Sequence, residues 1–206
     1  GEVAKDKVYL RDKNYFQKMG VKAFTNQKVV SVDFEKKEVE LASQKKLTYN
    51  KLLIATGASS KLPAYPGSDL KGVFTFRDLD DVEAMESYLT EDVEKAVMVG
   101  GGLVSMKAAE AFYQRGLDIA FIIHSPQVLS QMVDKKAADI VENYLSEKGF
   151  EFYEGQSVKS LSGENRVEKI NCKSCLTRSG EIVLVRKGVN PNVDFLDENE
   201  IEISDD

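Results

Sequence analysis

The chain has 206 residues, 42% of them hydrophobic and 30% charged, and carries a formal net charge of −6. That balance suits one large or two small globular domains with a buried core, and the excess of acid excludes a nucleic-acid binder, which needs a dominant basic face. No apolar run approaches the roughly 18 residues that cross a bilayer, so neither a membrane nor a nucleic acid is an expected partner.

The charge is uneven. Residues 1–50 hold eleven Lys and Arg against seven Asp and Glu, whereas residues 194–206 hold seven acids and no base, a stretch that reads as a solvated end. Cys172 and Cys175 are too few for a disulfide framework and agree with a reducing compartment, so a cytoplasmic location is expected. The chain opens on Gly1 inside a charged stretch, which reads as a piece of something longer.

In chain order, "RDKNYFQKMG" predicts a short helix closed by Gly20. Residues 28–56 follow a period of two in "KVVSVDF", "KEVELAS" and "KKLTYNKLLIATG", which predicts an antiparallel meander ending in an apolar strand over 51–55. Pro63, Pro66, Gly57, Gly67 and Gly72 cluster about residues 58–78 as a connecting segment, and a helix follows at about 79–90.

The pattern then changes. A short apolar strand, "AVMV", meets Gly100, Gly101 and Gly102, and Val104, Ala108 and Phe112 recur at helical spacing up to Gly116. A second strand, "IAFII", precedes a helix at about 134–148 with Ala137, Ile140, Val141 and Tyr144 on one face and Gly149 as its stop. "FEFYEG" is the third strand, and two or three more occupy about 157–186. The expected fold is α/β, a Rossmann-like fold with a parallel sheet, crossover helices and an antiparallel β-meander.

The glycines sit where such a fold binds a dinucleotide. Gly100 allows the tight turn, Gly102 lets a pyrophosphate come close, and the following helix offers unpaired N–H groups and partial positive charge. A strand–helix turn without a ligand is the bland alternative. Ser105 replaces the third glycine of G-x-G-x-x-G and is small enough for helix–strand packing. Lys107 opposes the helix dipole, which suits either a nearby anion or a solvent-facing lysine.

Nucleotide choice turns on the end of the second strand, where an acid about 20 residues beyond the glycines binds the ribose of NAD. Here the sequence reads Ile122, Ile123, His124, Ser125, with no acid before Asp134. His124 and Ser125 suit the 2′-phosphate of NADP, while NAD held by its pyrophosphate stays open, as does a loop histidine without a ligand.

Taken in order, "YNKLLIATGASSKLPAYPGSDLKGVFTFRDLDDVEAM", "AVMVGGGLVSMKAAEAF" and "GVNPN" resemble the FAD-dependent pyridine nucleotide-disulfide oxidoreductases. The resemblance extends to the branch of NADH oxidases, nitrite reductase large subunits and rubredoxin reductases, and runs from about Val8 to the end. It implies a partial FAD-binding domain over 1–60, a connecting segment and helix over 61–90, an NAD(P)-binding domain over 91–187 and the start of a return into the FAD domain over 188–206.

By the same resemblance Val29, Thr56, Gly57 and Arg77 approach FAD. Gly100, Gly101, Gly102, Leu103, Val104 and Ser105 line the pyridine dinucleotide, with Lys107, His124 and Ser125 nearby and Gly188 at its nicotinamide end. The implied activity is hydride transfer from NAD(P)H to FAD and on to a small-molecule or small redox-protein acceptor, in a homo-oligomeric parent enzyme; the fragment alone is expected to be inactive. Where the family has Glu and an acid, this chain has Lys107 and Ile123, and these departures together with Ser105 favour the alternative of a non-catalytic nucleotide-binding or regulatory module.

Cys172-Lys-Ser-Cys175 is a C-x-x-C whose thiols meet only if they straddle a turn, because strand residues three apart point to opposite faces. It reads as a redox dithiol, as half of a zinc site that another subunit would complete, or as two unremarkable thiols. A single histidine rules out a Ser-His-Asp order being read from the sequence, no catalytic residue is assigned, and no metal-loop spacing is found. The Tyr and Phe residues read mostly as core.

Overall fold

The computed structural model describes residues 7–12, 14–61, 63–186, 188–197 and 201. Gly1 and most of the acidic stretch over 194–206 lie outside them. The chain divides into two compact units, residues 1–58 with 191–206, and residues 59–190. Among the described residues no helix is long and apolar enough to cross a membrane.

The first unit holds α1 (Tyr15–Lys18) and the meander β1 (Val29–Asp33), β2 (Glu38–Leu41) and β3 (Lys46–Thr48). Helix α1 is a single turn, closed by Gly20 at φ +69° with the Val21 N–H donating to the Phe16 carbonyl at 2.9 Å. The meander is antiparallel in the order β1-β2-β3. The strand expected over residues 51–55 does not form, and Leu53 is 88% exposed. An apolar run becomes a strand only when a neighbour accepts its backbone ladder, and no described strand pairs with this one.

Strands β4 (Ala58–Ser60) and β13 (Val189–Pro191) pair where the chain passes between units. The second unit continues with β5 (Val73–Phe74), α2 (Leu79–Tyr88), β6 (Lys95–Val99), α3 (Leu103–Tyr113), β7 (Asp118–Ile122), α4 (Lys135–Ser146) and β8 (Glu151–Tyr153). After these come the antiparallel strands β9 (Val158–Ser162), β10 (Lys169–Cys172) and β11 (Thr177–Ser179), then β12 (Ile182–Val185).

The main sheet is parallel throughout, in the order β5-β12-β6-β7-β8. Its central strands are apolar on both faces, as a sheet covered on both sides requires. Ala96, Met98, Ile119, Phe121, Ile182 and Leu184 pack with Met85, Ala108, Phe112 and Ala138 of the helices. The alternate residues Val97, Val99, Ile122, Val183 and Val185 meet Val158, Leu161, Ile170 and Cys172 of the β11-β10-β9 sheet.

Helix α4 differs from expectation in phase. Ala138, Val141 and Leu145 belong to the core, whereas Ile140 and Tyr144 are 64% and 59% exposed. The Asp134 side chain caps the helix by accepting from the Ala137 N–H, and one residue of phase rotates the stripe by about 100°, which carries Ile140 and Tyr144 off the core. The aromatic residues divide likewise. Phe112, Phe121 and Phe150 are buried, but Tyr9, Phe16, Phe24 and Tyr113 are exposed.

Candidate nucleotide site

The candidate site lies in the second unit, at the C-terminal ends of β6, β7 and β12, where parallel α/β sheets bind ligands. Three hydrogen bonds prolong the sheet there and fix the turn: Gly100 N–H to Ile122 O at 2.9 Å, Arg186 N–H to Val99 O at 3.0 Å, and Leu129 N–H to Gly101 O at 2.8 Å. A groove of about 480 Å³ opens above them, lined by Gly100, Gly101, Gly102, Leu103, Val104 and Ser105, with Ser125, Leu129, Ser130, Gln131, Met132, Arg186 and Gly188 opposite.

Each glycine of the triplet has its own reason. Gly100 turns at φ +114°, and an added Cβ would stand 3.0 Å from the Arg186 carbonyl oxygen. A Cβ on Gly101 would meet the Ile123 side chain at 3.0 Å, while one on Gly102 would meet nothing within 4 Å and would point into open space. Gly102 is the N-cap of α3 and supplies no side-chain bond, whereas Asp78 and Asp134 cap α2 and α4 with their carboxylates. The first N–H groups of α3 therefore face the groove uncapped, the arrangement that binds a phosphate.

Ser105 is fully buried, and its hydroxyl has no partner among the described residues. It fills the close approach between α3 and the sheet as a small residue must. Ile123, where an acid would bind a ribose, is also buried, in the core against the helices. Ser125 lines the groove with its hydroxyl on the Gln127 carbonyl at 3.0 Å. His124 is exposed, its Nδ1 2.9 Å from Ser157 Oγ.

Lys107 lies outside the described lining of the groove; its Nζ pairs with Glu110 at 2.9 Å on the exposed face of α3. The cation that does line the groove is Arg186, whose Nη1 donates to the Phe76 carbonyl at 3.0 Å. The described lining contains no carboxylate, so its charge favours an anion. Arg186 escaped the sequence reading, although a cation placed directly after the apolar strand "IVLV", at the ligand end of a parallel strand, is a legible signal.

The residues related to a flavin by resemblance divide between the units: Val29, Thr56 and Gly57 in the first, Arg77 in the second. Gly57 has φ +67° with open space where a Cβ would stand. Val29 pairs with Leu41 in the meander, and the Arg77 N–H donates to Asp81 Oδ2 at 2.7 Å. The Gly188 carbonyl accepts from the Lys61 N–H at 3.2 Å.

The family model described as pyridine nucleotide-disulphide oxidoreductase matches residues 2–206. The chain belongs to the pyridine nucleotide-disulphide oxidoreductase family. Among relatives of this family, the assimilatory nitrate reductase electron transfer subunit of Bacillus subtilis is 29% identical over 195 residues, 95% of this chain and 25% of that protein. The NADH-dependent phenylglyoxylate dehydrogenase subunit epsilon of Aromatoleum evansii is 31% identical over 202 residues, 98% of this chain and 48% of that protein. The chain thus spans between about a quarter and a half of the length of these two relatives. Among solved structures, a ferredoxin reductase from Rhodopseudomonas palustris aligns with a TM-score of 0.86 at 25% identity, covering 90% of this chain and 46% of that one.

Proposed function

We propose that this chain binds NADH or NADPH and forms the pyridine-nucleotide side of a flavin-dependent oxidoreductase. The observation that carries the reading is the uncapped N-terminus of α3 opening on a groove whose described lining has one cation and no carboxylate. FAD, when bound, supplies the hydride-accepting chemistry, and the protein supplies orientation and electrostatics. In this reading the N–H groups at Gly102, Leu103 and Val104 hold the pyrophosphate and Arg186 adds a charged donor. Ser125, with His124 beside it, stands at the adenosine end, and Gly188 at the nicotinamide end. Ile123 leaves no acid there to repel a 2′-phosphate, so both nucleotides are admitted. Val29, Thr56, Gly57 and Arg77 are the residues we assign toward the flavin.

Relatives named as nitrite reductase and rubredoxin-NAD(+) reductase support a small molecule or a small redox protein as acceptor. A homo-oligomeric parent enzyme and a cytoplasmic setting belong to the same proposal, the latter supported by two free cysteines. Titrating NADH, NADPH and NAD into the chain while following its melting temperature tests the reading. A rise with either reduced nucleotide is expected, and no shift with any of the three at millimolar concentration would overturn it in favour of a module that has lost its nucleotide.

A further inference from the structure

Cys172 closes β10 and is buried, Cys175 is exposed, and both thiols are free. The hairpin between β10 and β11 turns through them. The Cys175 N–H donates to the Cys172 carbonyl at 3.3 Å, and the Cys172 N–H donates to the Leu176 carbonyl at 2.8 Å. A turn closed from residue i to i+3 holds its end Cα atoms within about 7 Å, and a disulfide bridges Cα separations of about 4.4–6.8 Å. Residues three apart on a strand point to opposite faces; the turn instead brings the two Cα atoms to about the separation a disulfide spans.

The backbone at Cys175 adds a second observation. It has φ +65°, the left-handed position at which a three-residue hairpin loop takes glycine. A cysteine stands there in place of the residue the turn favours, beside a second cysteine at the start of the same turn. Contacts on the neighbouring loop hold the turn in place: the Lys173 N–H donates to the Ser157 carbonyl at 2.9 Å, and Ser174 Oγ donates to Gln156 Oε1. No group of three or more metal-ligating side chains gathers among the described residues.

We propose that Cys172 and Cys175 form a reversible thiol–disulfide site that a hydroperoxide closes and a dithiol reopens. The exposed Cys175 sulfur takes one oxygen from hydrogen peroxide, becoming a sulfenic acid as the first water leaves. The Cys172 sulfur then attacks the Cys175 sulfur; the S–S bond forms, the S–O bond breaks, and the hydroxyl departs with the Cys172 proton as the second water. Two thiols lose two electrons and two hydrogens, and one peroxide becomes two waters. Burial pushes the Cys172 thiol up from its ordinary range and shields it from solvent, so the exposed Cys175 is the sulfur that meets the peroxide first.

The site stands apart from the nucleotide groove and does not depend on the function proposed for it. It is nonetheless close to that region in bonding terms, since Ser157, whose carbonyl holds the turn, also meets His124 through its hydroxyl.

The test exposes the chain to a modest excess of hydrogen peroxide, blocks remaining thiols under denaturing conditions, and reads the peptide spanning both cysteines by mass spectrometry. The expected result is loss of both reactive thiols with a mass lower by two hydrogens, reversed by dithiothreitol. Cys175→Ser, on the exposed turn, and Cys172→Ser are each expected to lose that internal bridge. If the wild-type chain keeps both thiols, or carries a sulfinic acid on Cys175 beside a free Cys172, the proposal is overturned.

Discussion

Thr56 and Asn192, 136 residues apart, hold each other from both sides: Thr56 Oγ1 donates to the Asn192 carbonyl at 2.8 Å, and Asn192 Nδ2 donates to the Thr56 carbonyl at 3.0 Å. The Asn192 N–H adds a third bond, to the Gly57 carbonyl at 3.0 Å. The "ATG" and "GVNPN" stretches thus meet through side chain and backbone within the first unit. Thr56→Val and Asn192→Ala are each expected to cost about 1 kcal/mol, the net worth of an ordinary hydrogen bond. Urea denaturation of both single variants and the double variant checks this; each substitution removes a different side-chain-to-backbone bond, so the double cost is expected to approach the sum, and a single variant without cost would contradict the clasp.

The glycine turn makes two opposite predictions. Gly100→Ala places a side chain at φ +114° and 3.0 Å from the Arg186 carbonyl, so a stability loss of about 2 kcal/mol is expected. Gly102→Ala has open space and an extended backbone, φ −82° and ψ 172°. It is expected to keep its melting temperature while the new methyl group, added to the lining of the groove, lowers NAD(P)H affinity by about tenfold, or about 1.4 kcal/mol. Calorimetric titration beside thermal melting separates the two effects.

Arg186→Met removes the groove's charged donor while keeping most of the side-chain volume. A hydrogen bond to a charged group is worth about 1.5–3 kcal/mol, so nucleotide affinity is expected to fall tenfold or more, and the wild-type binding constant is expected to weaken with added salt more steeply than the variant's. Equal affinities for wild type and variant at low salt would remove Arg186 from the site.

Cys175→Gly relieves a left-handed side chain at φ +65°. The variant is expected to gain about 1 kcal/mol, less glycine's own entropic cost, seen as a higher urea midpoint under reducing conditions.

Glu154 sets a pH dependence. Partial burial, then a hydrogen bond and like charge from Glu142, raise its carboxyl above the ordinary range, Asp139 adds to the same direction, and Lys135 opposes it. A raised folded-state value favours the protonated form, so the stabilisation is complete below the unfolded value of about 4.3 and is lost as pH rises through the folded value. Glu154→Gln is expected to match wild type in acid and to exceed it in stability at neutral pH, as read by urea midpoints across that range.

Much of the second unit was legible in sequence because its signals are local. The β6 run, the glycine triplet, and the helices ended by Gly116 and Gly149 each carry their own period or stop. The phase of α4 was less so: the Asp134 cap and the packing of Ala138 decide which of two adjacent stripes faces inward, and both stripes are apolar. Residues 51–55 are as apolar as a central strand, yet a strand needs a partner's backbone. Lys107 and Arg186 show the same limit for charge. Sequence places Lys107 beside the glycines and Arg186 far from them, but the fold turns Lys107 to a solvent pair with Glu110 and brings Arg186 to the wall of the groove.

The amino-acid sequence by itself determined the α/β class, the parallel crossover pattern and the place of the glycine turn, because hydrophobic period and glycine's freedom act over a few neighbouring residues. The tertiary structure decided which groups share a site. Arg186 reaches the turn at Gly100 because β12 lies beside β6 in the sheet, and Ile123 turns inward onto Gly101. These are relations between elements, and no local period encodes them.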